Sequence, residues 1–402
     1  MNRITTPSSL TSIASPAAAA RALAPMLRAR AAETSRLGRL PAETIGELEQ
    51  ADLFRLCLPE LYGGEEASLD TLLDVTLELG TADGSVAWTY AILSGGIWMA
   101  AALYPPETTD QVFGSGQPFR TASVMAPSRV RTRRVEGGLL IEEGQWAFNS
   151  GIHHAQWDVV SVPILDANGN RVDFAAALLP AEELTLLDDW NTFGLRGTGS
   201  VSVTVENVFV PDSRLAPYSR ALADDFAPGP LRDRPGFNLP VLPMLATKLA
   251  FPCLAIARDF LRLFVERAGA RPIPLTFYAA QSEAAATHLQ VGEATAKVDA
   301  AETLLRRSIA HMEAAAASRQ PLSREQRMRI WRDAAFAARL CREAVDLLAG
   351  VSGGSLARAG SPMERHWHDL RVATLHAGLS PTATFEIFGR LMFGLPPNSP
   401  LV

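Results

Sequence analysis

Hydrophobic residues recur every three or four positions over both ends of this chain, whereas they alternate with polar residues through its middle. In the first part, the helical period predicts helices over residues 17–32, after Pro41, from Ser68 to about Gly80 and from Pro105 to Phe113. The stretch from Gly84 to Leu103 has no charged residue but is interrupted by glycines and polar residues. It therefore predicts a pair of buried helices and not a membrane span.

Short alternating runs separated by glycine turns begin near Arg120 and predict strands. These runs are Val130–Val135, Leu139–Glu143, Trp157–Ile164, Val172–Leu179 and Val201–Val205. Between two of them, Asn168 and Gly169 predict a hairpin turn, because both residues tolerate a positive φ. The middle of the chain is therefore expected to form a small antiparallel β domain.

The helical period returns after a proline-rich stretch and continues to the end of the chain. Two long apolar stripes, from Val291 to Met312 and from Trp331 to Leu348, predict long helices packed in a bundle. Shorter helices are expected from Pro362 to His376 and over residues 382–391. The predicted class is α+β, with a flexible leader (1–16), an N-terminal helical domain (17–118), a middle β domain (119–218), a linker loop (219–240) and a C-terminal helical bundle (241–402).

The composition is that of a soluble globular protein, since 48% of the 402 residues are apolar and 20% are charged. A formal net charge of −6 argues against nucleic-acid binding. The three cysteines are far apart and form no CxxC pair, so no disulfide, zinc site or other metal site is predicted and a cytoplasmic location is expected. No uninterrupted apolar window of about 18 residues indicates a membrane segment. The Ala- and Arg-rich bias is typical of a GC-rich bacterial genome.

One segment, from Gln145 to Trp157, combines two indoles, a phenyl ring, two imidazoles, an amide and a hydroxyl. An aromatic wall beside small polar groups suits a flat conjugated ligand, but the same rings would also cap a sheet edge by packing alone. The glycine-rich segment Gly194–Ser200 leaves a similar choice between a tight connector and a row of N–H and hydroxyl groups facing a polar ligand. Residue types alone leave both choices open.

Three histidines lie close together near the C-terminus. His366 and His368 are two positions apart, so on a helix their side chains point in different directions and do not converge on a metal. On a helix, His376 would share a face with Arg365 and Asp369. It is either a core histidine or a general base with a pKa near neutrality.

Several motifs, taken in order, resemble the acyl-CoA dehydrogenase-fold flavoproteins. The motifs are Ser85-Val86-Ala87-Trp88, Trp146-x-Phe148-x-Ser150-Gly151-x-x-His154-Ala155-x-Trp157, Thr192–Ser200, Val208-Phe209-Val210-Pro211, and Pro362-Met363-Glu364-Arg365-x-Trp367-x-Asp369-Leu370 followed by His376 and Gly389-Arg390. The fuller match is to the group D two-component flavin monooxygenases, which include the large components of 4-hydroxyphenylacetate and secosteroid phenol hydroxylases and the dibenzothiophene monooxygenases. The similarity extends from about residue 20 onward.

This resemblance implies an N-terminal α-helical domain, a middle β-barrel-like domain and a C-terminal four-helix bundle, assembled as a homotetramer. Reduced FMN or FAD would come from a separate flavin reductase and would react with O2 to give a C4a-hydroperoxide. That species would hydroxylate an aromatic or phenolic small molecule, or oxygenate the nitrogen of an amine.

The resemblance also assigns residues. Ser150, near flavin N5, and His376, which would take a proton from the substrate or steady the distal oxygen, would be catalytic, and Trp88 would line the substrate pocket with His376. The flavin contacts would be Trp146, Phe148, Asn149, Ser150, Ser123, Arg196, Thr198, Gly199 and Ser200, with Gly353 and Gly354 reaching the cofactor of a neighbouring subunit. Trp88, Trp146 and Phe148 together would form a dry aromatic pocket.

Two departures from the family pattern bear on the activity. Dehydrogenases of this fold use a glutamate as base, whereas the segment after His376 has none and Glu386 lacks the usual Tyr-Glu-Gly context. His368-Asp369 also stands where the family commonly has Arg-Asp. The alternatives to a monooxygenase are an acyl-CoA or nitroalkane dehydrogenase or oxidase with bound FAD, and a flavin-binding homologue without turnover.

Overall fold

The computed structural model describes residues 15–114, 116, 119–166 and 168–401, so most of the predicted leader lies outside the described residues. Five helices come first: α1 (Pro16–Leu37), α2 (Ala42–Gln50), α3 (Leu69–Gly80), α4 (Gly84–Leu103) and α5 (Pro106–Phe113). Side chains fix two of the helix starts. The Ser68 hydroxyl accepts from Thr71 N at the start of α3, and the Asp83 carboxylate accepts from Ser85 N and Val86 N at the start of α4.

The stretch predicted as a helix pair is a single helix, α4, in which every residue except Ile92 is buried. Gly95 and Gly96 do not break it, because packing on all sides outweighs their low helix propensity. Gly96 lies where α4 meets the first strand, and a Cβ there would stand 1.9 Å from Thr121 O. α4 and α7 (Val241–Ala268) are long and apolar enough to cross a membrane, but 94% and 78% of their apolar windows are buried inside the fold.

The middle of the chain forms two four-stranded sheets, with strand orders β1-β4-β5-β8 and β2-β3-β7-β6. The strands are β1 (Thr121–Val124), β2 (Pro127–Val135), β3 (Gly138–Asn149), β4 (Trp157–Leu165), β5 (Arg171–Pro180), β6 (Thr185–Leu186), β7 (Val201–Pro211) and β8 (Leu215–Pro217). Side chains join the sheets: Trp146 Nε1 donates to Ser161 O at 2.8 Å, and Thr132 Oγ1 donates to Pro163 O at 2.8 Å.

Two details of the predicted β domain are wrong. The sheets are open and do not close into a barrel, since among the described residues no ladder connects the edge strands of one sheet to those of the other. The domain is also not wholly antiparallel, because β1 pairs with β4 in parallel, with Thr121 opposite Trp157. The predicted hairpin joins β4 to β5, with Gly169 at φ +81° and Asp166 N donating to Asn170 O at 2.9 Å.

The C-terminal part contains the short α6 (Tyr218–Ala221), the long helices α7, α8 (Ala285–Ser318) and α9 (Arg324–Gly350), and the shorter α10 (Pro362–Ala373) and α11 (Pro381–Met392). The three long helices pack on one another, α10 packs on α7, and α11 packs on α9. The predicted helix from Pro362 to His376 is three residues too long. The chain leaves the helix after Ala373, and His376 caps a following turn with an extended ψ of 132°.

Candidate active site

The buried helix α4 carries the side chain at the centre of the site, Trp88. Trp88 is 4% exposed, and its Nε1 donates to Ser150 Oγ at 3.1 Å. On its other side, the indole lies beside the imidazole of His376, with ring centroids 5.8 Å apart. One rigid helix therefore positions a group between the end of β3 and the segment that follows α10.

Ser150 begins a chain of three buried hydroxyl groups. Ser150 Oγ is 2.7 Å from Ser200 Oγ, which is 2.6 Å from Thr198 Oγ1. Thr198 Oγ1 donates to the carbonyl oxygen of Leu195 at 2.9 Å. Each hydroxyl has one proton to donate, so Thr198 must accept from Ser200, and Ser200 must accept from Ser150. Ser150 is thus left with acceptor capacity only, of which Trp88 uses one lone pair.

Irregular backbone brings these hydroxyl groups together. The register between β3 and β7 shifts between Trp146 and Asn149, and Phe148 in that bulge has a φ of +66°. On the facing segment, Leu195 and Gly199 have φ values of +49° and +54°. A left-handed leucine is a strained conformation that the surrounding contacts must hold in place.

Asp369 on α10 supplies such a contact, because its Oδ1 accepts from Leu195 N at 2.6 Å. The carboxyl of Asp83 is near enough for its charge to act on Asp369. A Cβ on Gly84 would stand 2.8 Å from Asp369 Oδ2, so Asp369 can approach the start of α4 this closely only because residue 84 is a glycine. Neither Oδ2 atom has a hydrogen-bond partner among the described residues. Burial, followed by the charge of Asp83, raises the pKa of Asp369 to about 8, and burial also raises the pKa of Asp83.

Asp369→Asn is expected to remove part of the pH dependence of stability. The folded protein favours the neutral carboxyl, so the stability from this site is fully present below the unfolded pKa of about 3.9 and is lost as the pH rises through about 8. The free energy of unfolding of the wild type should therefore fall by up to about 1.4 kcal/mol per pH unit over this range. The asparagine keeps an acceptor for Leu195 N and cannot ionise.

The measurement is urea denaturation at several pH values between 5 and 9, with the exposed Asp299→Asn as control. Arg365, Glu364 and His366 also act on this carboxyl pair and remain in both proteins, so the difference between the two curves isolates Asp369. Parallel curves for the wild type and Asp369→Asn would contradict a neutral Asp369.

The imidazole of His376 has a fixed tautomer. Its Nδ1 accepts from Gly378 N at 3.0 Å and therefore carries no proton. His376 is exposed on the single chain, yet the protein around its imidazole desolvates the charged form and lowers the pKa of His376 to about 4. Near neutral pH the ring is uncharged and carries its proton on Nε2. The role of His376 as a general base stays a prediction, and in this conformation its Nε2–H is a hydrogen-bond donor.

Comparison with known proteins identifies the family of this chain. The chain matches the families "Acyl-CoA dehydrogenase, N-terminal domain" over residues 15–107 and "Acyl-CoA dehydrogenase, C-terminal domain" over residues 247–381. It is 31% identical over 382 residues to HsaA, a flavin-dependent monooxygenase oxygenase subunit of Rhodococcus jostii strain RHA1, covering 95% of this chain and 99% of that relative. The chain belongs to the acyl-CoA dehydrogenase-fold flavin-dependent monooxygenases.

Two further comparisons agree with this membership. The oxygenase component of an FADH2-dependent resorcinol hydroxylase from Rhizobium sp. strain MTP-10005 is 27% identical to this monooxygenase, over 94% of this chain and 93% of the relative. The structure of XiaF from a Streptomyces species, in complex with FADH2 and glycerol, has a TM-score of 0.89 and 28% identity, covering 96% of both chains. The predicted resemblance and enzyme class are confirmed, and the dehydrogenase alternative is not favoured.

Two of the predicted flavin contacts lie inside the monooxygenase's own core. Trp146 is 0% exposed and fills the space between the two sheets, where its indole N–H is already used. It offers no stacking surface, so its assignment to the flavin wall is wrong. Asn149 is also fully buried, and its Nδ2 donates to Asp158 Oδ2 at 2.5 Å. Trp88, which the resemblance placed in the substrate pocket, is the indole that contacts Ser150.

Of the other predicted contacts, Phe148, Arg196, Gly353 and Gly354 are exposed, and Ser123 is half-buried. Phe148 is 72% exposed beside Trp190, and Arg196 is exposed, with its Nε donating to Ser35 O. Ser123 lies on β1 opposite Val159 of β4. Gly353 and Gly354 are in an exposed loop after α9. The structure of the single chain brings Ser150, Thr198, Ser200 and Trp88 together, while these other positions stay predictions.

The sequence reasoning missed the anchoring residues. Asp83, which precedes the Ser85–Trp88 motif, had a readable signal as a helix N-cap, and Asp369 stood within a quoted motif. Leu195 had no readable signal, because it acts through its backbone N–H and C=O groups and not through its side chain. Among the described residues, no group of three or more His, Cys, Asp or Glu side chains is placed to hold a metal ion.

Proposed function

We propose that this monooxygenase is the oxygenase component of a two-component system that hydroxylates an aromatic or phenolic small molecule with O2. Reduced FAD or FMN would come from a separate flavin reductase. The observation that carries the proposal is the pair of polar groups beside Trp88, namely the acceptor Ser150 Oγ and the donor Nε2–H of His376. A hydroxylase needs both, one toward the cofactor and one toward the substrate oxygen.

The residues present fit a reduced flavin. Ser150 has a free lone pair that can accept a hydrogen bond from a flavin N–H group, and Trp88 Nε1 and Ser200 hold that hydroxyl in place. Gly199, with a φ of +54°, keeps the adjoining backbone free of a side chain. The bound flavin would supply the electrons that activate O2. The protein's part is to hold the flavin edge and to exclude water, for which the buried Trp88 supplies apolar surface.

His376 is the proposed contact for the substrate. Because Gly378 N fixes Nδ1 as an acceptor, Nε2–H can donate to a phenolic oxygen and orient the ring that is to be hydroxylated. The lowered pKa, about 4, keeps this donor uncharged and available at neutral pH. The name of one relative, a resorcinol hydroxylase, supports a phenolic substrate.

The proposal includes assembly as a homotetramer in the bacterial cytoplasm. Large apolar side chains at the end of α11 are exposed on the single chain, with Met392 69%, Phe393 83% and Leu395 49% exposed. Burial of such side chains between subunits would stabilise an assembly. In that assembly, the loop at Gly353 and Gly354 would reach the flavin of a neighbouring subunit.

Turnover with a flavin reductase tests the proposal. The protein is mixed with a reductase, NADH, FAD or FMN, and a panel of phenols under ¹⁸O2, and product and H2O2 are measured. The expected result is a hydroxylated phenol that carries one ¹⁸O atom, with no product when the reductase is left out. Tightly bound oxidised FAD that is bleached by an acyl-CoA or a nitroalkane without any reductase would instead show a dehydrogenase or oxidase.

A further inference from the structure

We propose that Thr198 and Ser200 make the site selective for reduced over oxidised flavin, because they fix the direction in which the Ser150 hydroxyl points. The inference rests on the proposed function, since it assumes that Ser150 meets flavin N5. It extends that function by assigning the choice of redox state to two residues that need not touch the reacting atoms. They act as positioning residues through Ser150.

One end of the hydroxyl chain sets its direction, and the other end occupies one lone pair of Ser150. At one end, Leu195 O can only accept, and it takes the proton of Thr198 Oγ1 at 2.9 Å. At the other end, Trp88 Nε1 can only donate, and it donates to Ser150 Oγ at 3.1 Å. The two links between them, 2.7 and 2.6 Å long, are short enough to transmit this order. Reversing the chain would set the lone pairs of Thr198 Oγ1 and Leu195 O against each other at 2.9 Å, although Thr198 N and Trp190 Nε1 also donate to that carbonyl.

The burial of the three hydroxyl groups and the fixed position of Leu195 both favour this direction of the hydrogen bonds. Ser150, Thr198 and Ser200 are 6%, 2% and 4% exposed, so water has little access to satisfy a misdirected hydroxyl. Leu195, whose carbonyl ends the chain, is itself held at its amide by Asp369 at 2.6 Å. Leu195 O, the acceptor that sets the direction of the hydrogen bonds, is therefore held in place by a residue of a separate helix, α10.

The two redox states of flavin present opposite groups to Ser150. Reduced flavin carries a proton on N5 and donates, whereas N5 of oxidised flavin has only a lone pair and accepts. A Ser150 oxygen with one free lone pair forms a hydrogen bond with the reduced form. Facing oxidised N5, it would bring two acceptors together, which leaves both unsatisfied.

Two substitutions interrupt the chain of hydrogen-bonded hydroxyl groups at different residues. In Thr198→Val, which keeps the shape of the side chain, Ser200 loses its acceptor and is free to donate to Ser150, so the Ser150 proton can turn toward the flavin. In Ser200→Ala, Ser150 itself loses its acceptor. Thr198→Ser is the matched control, because it keeps the hydroxyl and hence the direction of the chain.

The experiment measures dissociation constants for reduced and for oxidised flavin, both under anaerobic conditions, in the wild type and the three variants. Wild type and Thr198→Ser are expected to bind reduced flavin at least about tenfold more tightly than oxidised flavin. In Thr198→Val and Ser200→Ala, this ratio should fall toward one, with tighter binding of the oxidised form. Circular dichroism and thermal melting confirm that each variant is folded.

The possible outcomes separate this inference from the proposed function. If both flavins bind but the ratio is the same in all four proteins, Thr198 and Ser200 do not set redox selectivity and the inference is wrong, whereas the monooxygenase proposal stands. If neither redox form binds the wild type, the proposed function fails and takes the inference with it. Ser200→Ala shortens a side chain without adding bulk and is therefore expected to fold. It still tests the inference if Thr198→Val does not fold.

Discussion

Replacing His376 by alanine is expected to lower the rate of product formation about 10²- to 10³-fold, as is typical when one preorganised donor at a reacting centre is removed. The donor is Nε2–H, because Nδ1 accepts from Gly378 N. Reduced flavin should bind the variant as before, and its electrons should appear as H2O2. Rapid mixing of the reduced-flavin complex with O2 and substrate, followed by quantification of product and H2O2, provides the measurement.

The His376 prediction has a rescue variant and a control. His376→Gln places an amide N–H near the position of Nε2 and should recover part of the rate, whereas the exposed His311→Ala on α8 should match the wild type. With a pKa of about 4, His376 is neutral throughout pH 6–9, so its contribution should be constant over that range. Alanine and glutamine variants of equal rate, or a step near pH 6.5 that disappears with His376, would count against a neutral donor.

Replacing Gly96 by alanine is expected to destabilise the protein by about 3 kcal/mol, because overpacking a core typically costs about 1–3 kcal/mol and here the backbone itself is in the way. The added Cβ would stand 1.9 Å from Thr121 O, so α4 and β1 would have to separate. Since α4 carries Trp88, flavin binding should weaken as well. Urea denaturation of the flavin-free protein measures the loss.

The neighbouring glycine provides a matched control. A Cβ on Gly95 would meet only Leu245 Cδ2, at an ordinary contact distance of 3.7 Å. Gly95→Ala should therefore be neutral or stabilise α4 by about 0.5–1 kcal/mol through the higher helix propensity of alanine. Equal effects of the two substitutions would mean that the close approach of α4 to β1 does not limit stability.

The elements of the fold were largely readable from the sequence, because the apolar period follows directly from burial on one face of each helix or strand. The prediction was wrong for α4, where local glycine propensity suggested a break and packing from all sides kept the helix intact. It was also wrong about the end of α10, since nothing in the period marks the turn at Thr374. Sheet closure depends on pairings between distant strands, which no local pattern records.

The site was only partly predictable. Ser150, Thr198 and Ser200 emerged from family motifs, and the structure joins them in one chain of hydrogen bonds. Trp146 and Trp88 could not be told apart by composition, because both are buried indoles and only the fold shows which one faces Ser150. The tautomer of His376 depends on the turn that presents Gly378 N, a backbone detail without a sequence signature.

Leu195 is central to the site, yet the residue type at this position carries little information about its role. Its contributions are an amide that donates to Asp369 and a carbonyl that accepts from Thr198, and almost every amino acid carries both groups. Related proteins can thus carry different residue types at this position and still form the same hydrogen bonds. Proline is the exception, since it lacks the N–H and cannot adopt the φ of +49° found here. A mutational scan of this position should therefore tolerate glycine or asparagine far better than proline.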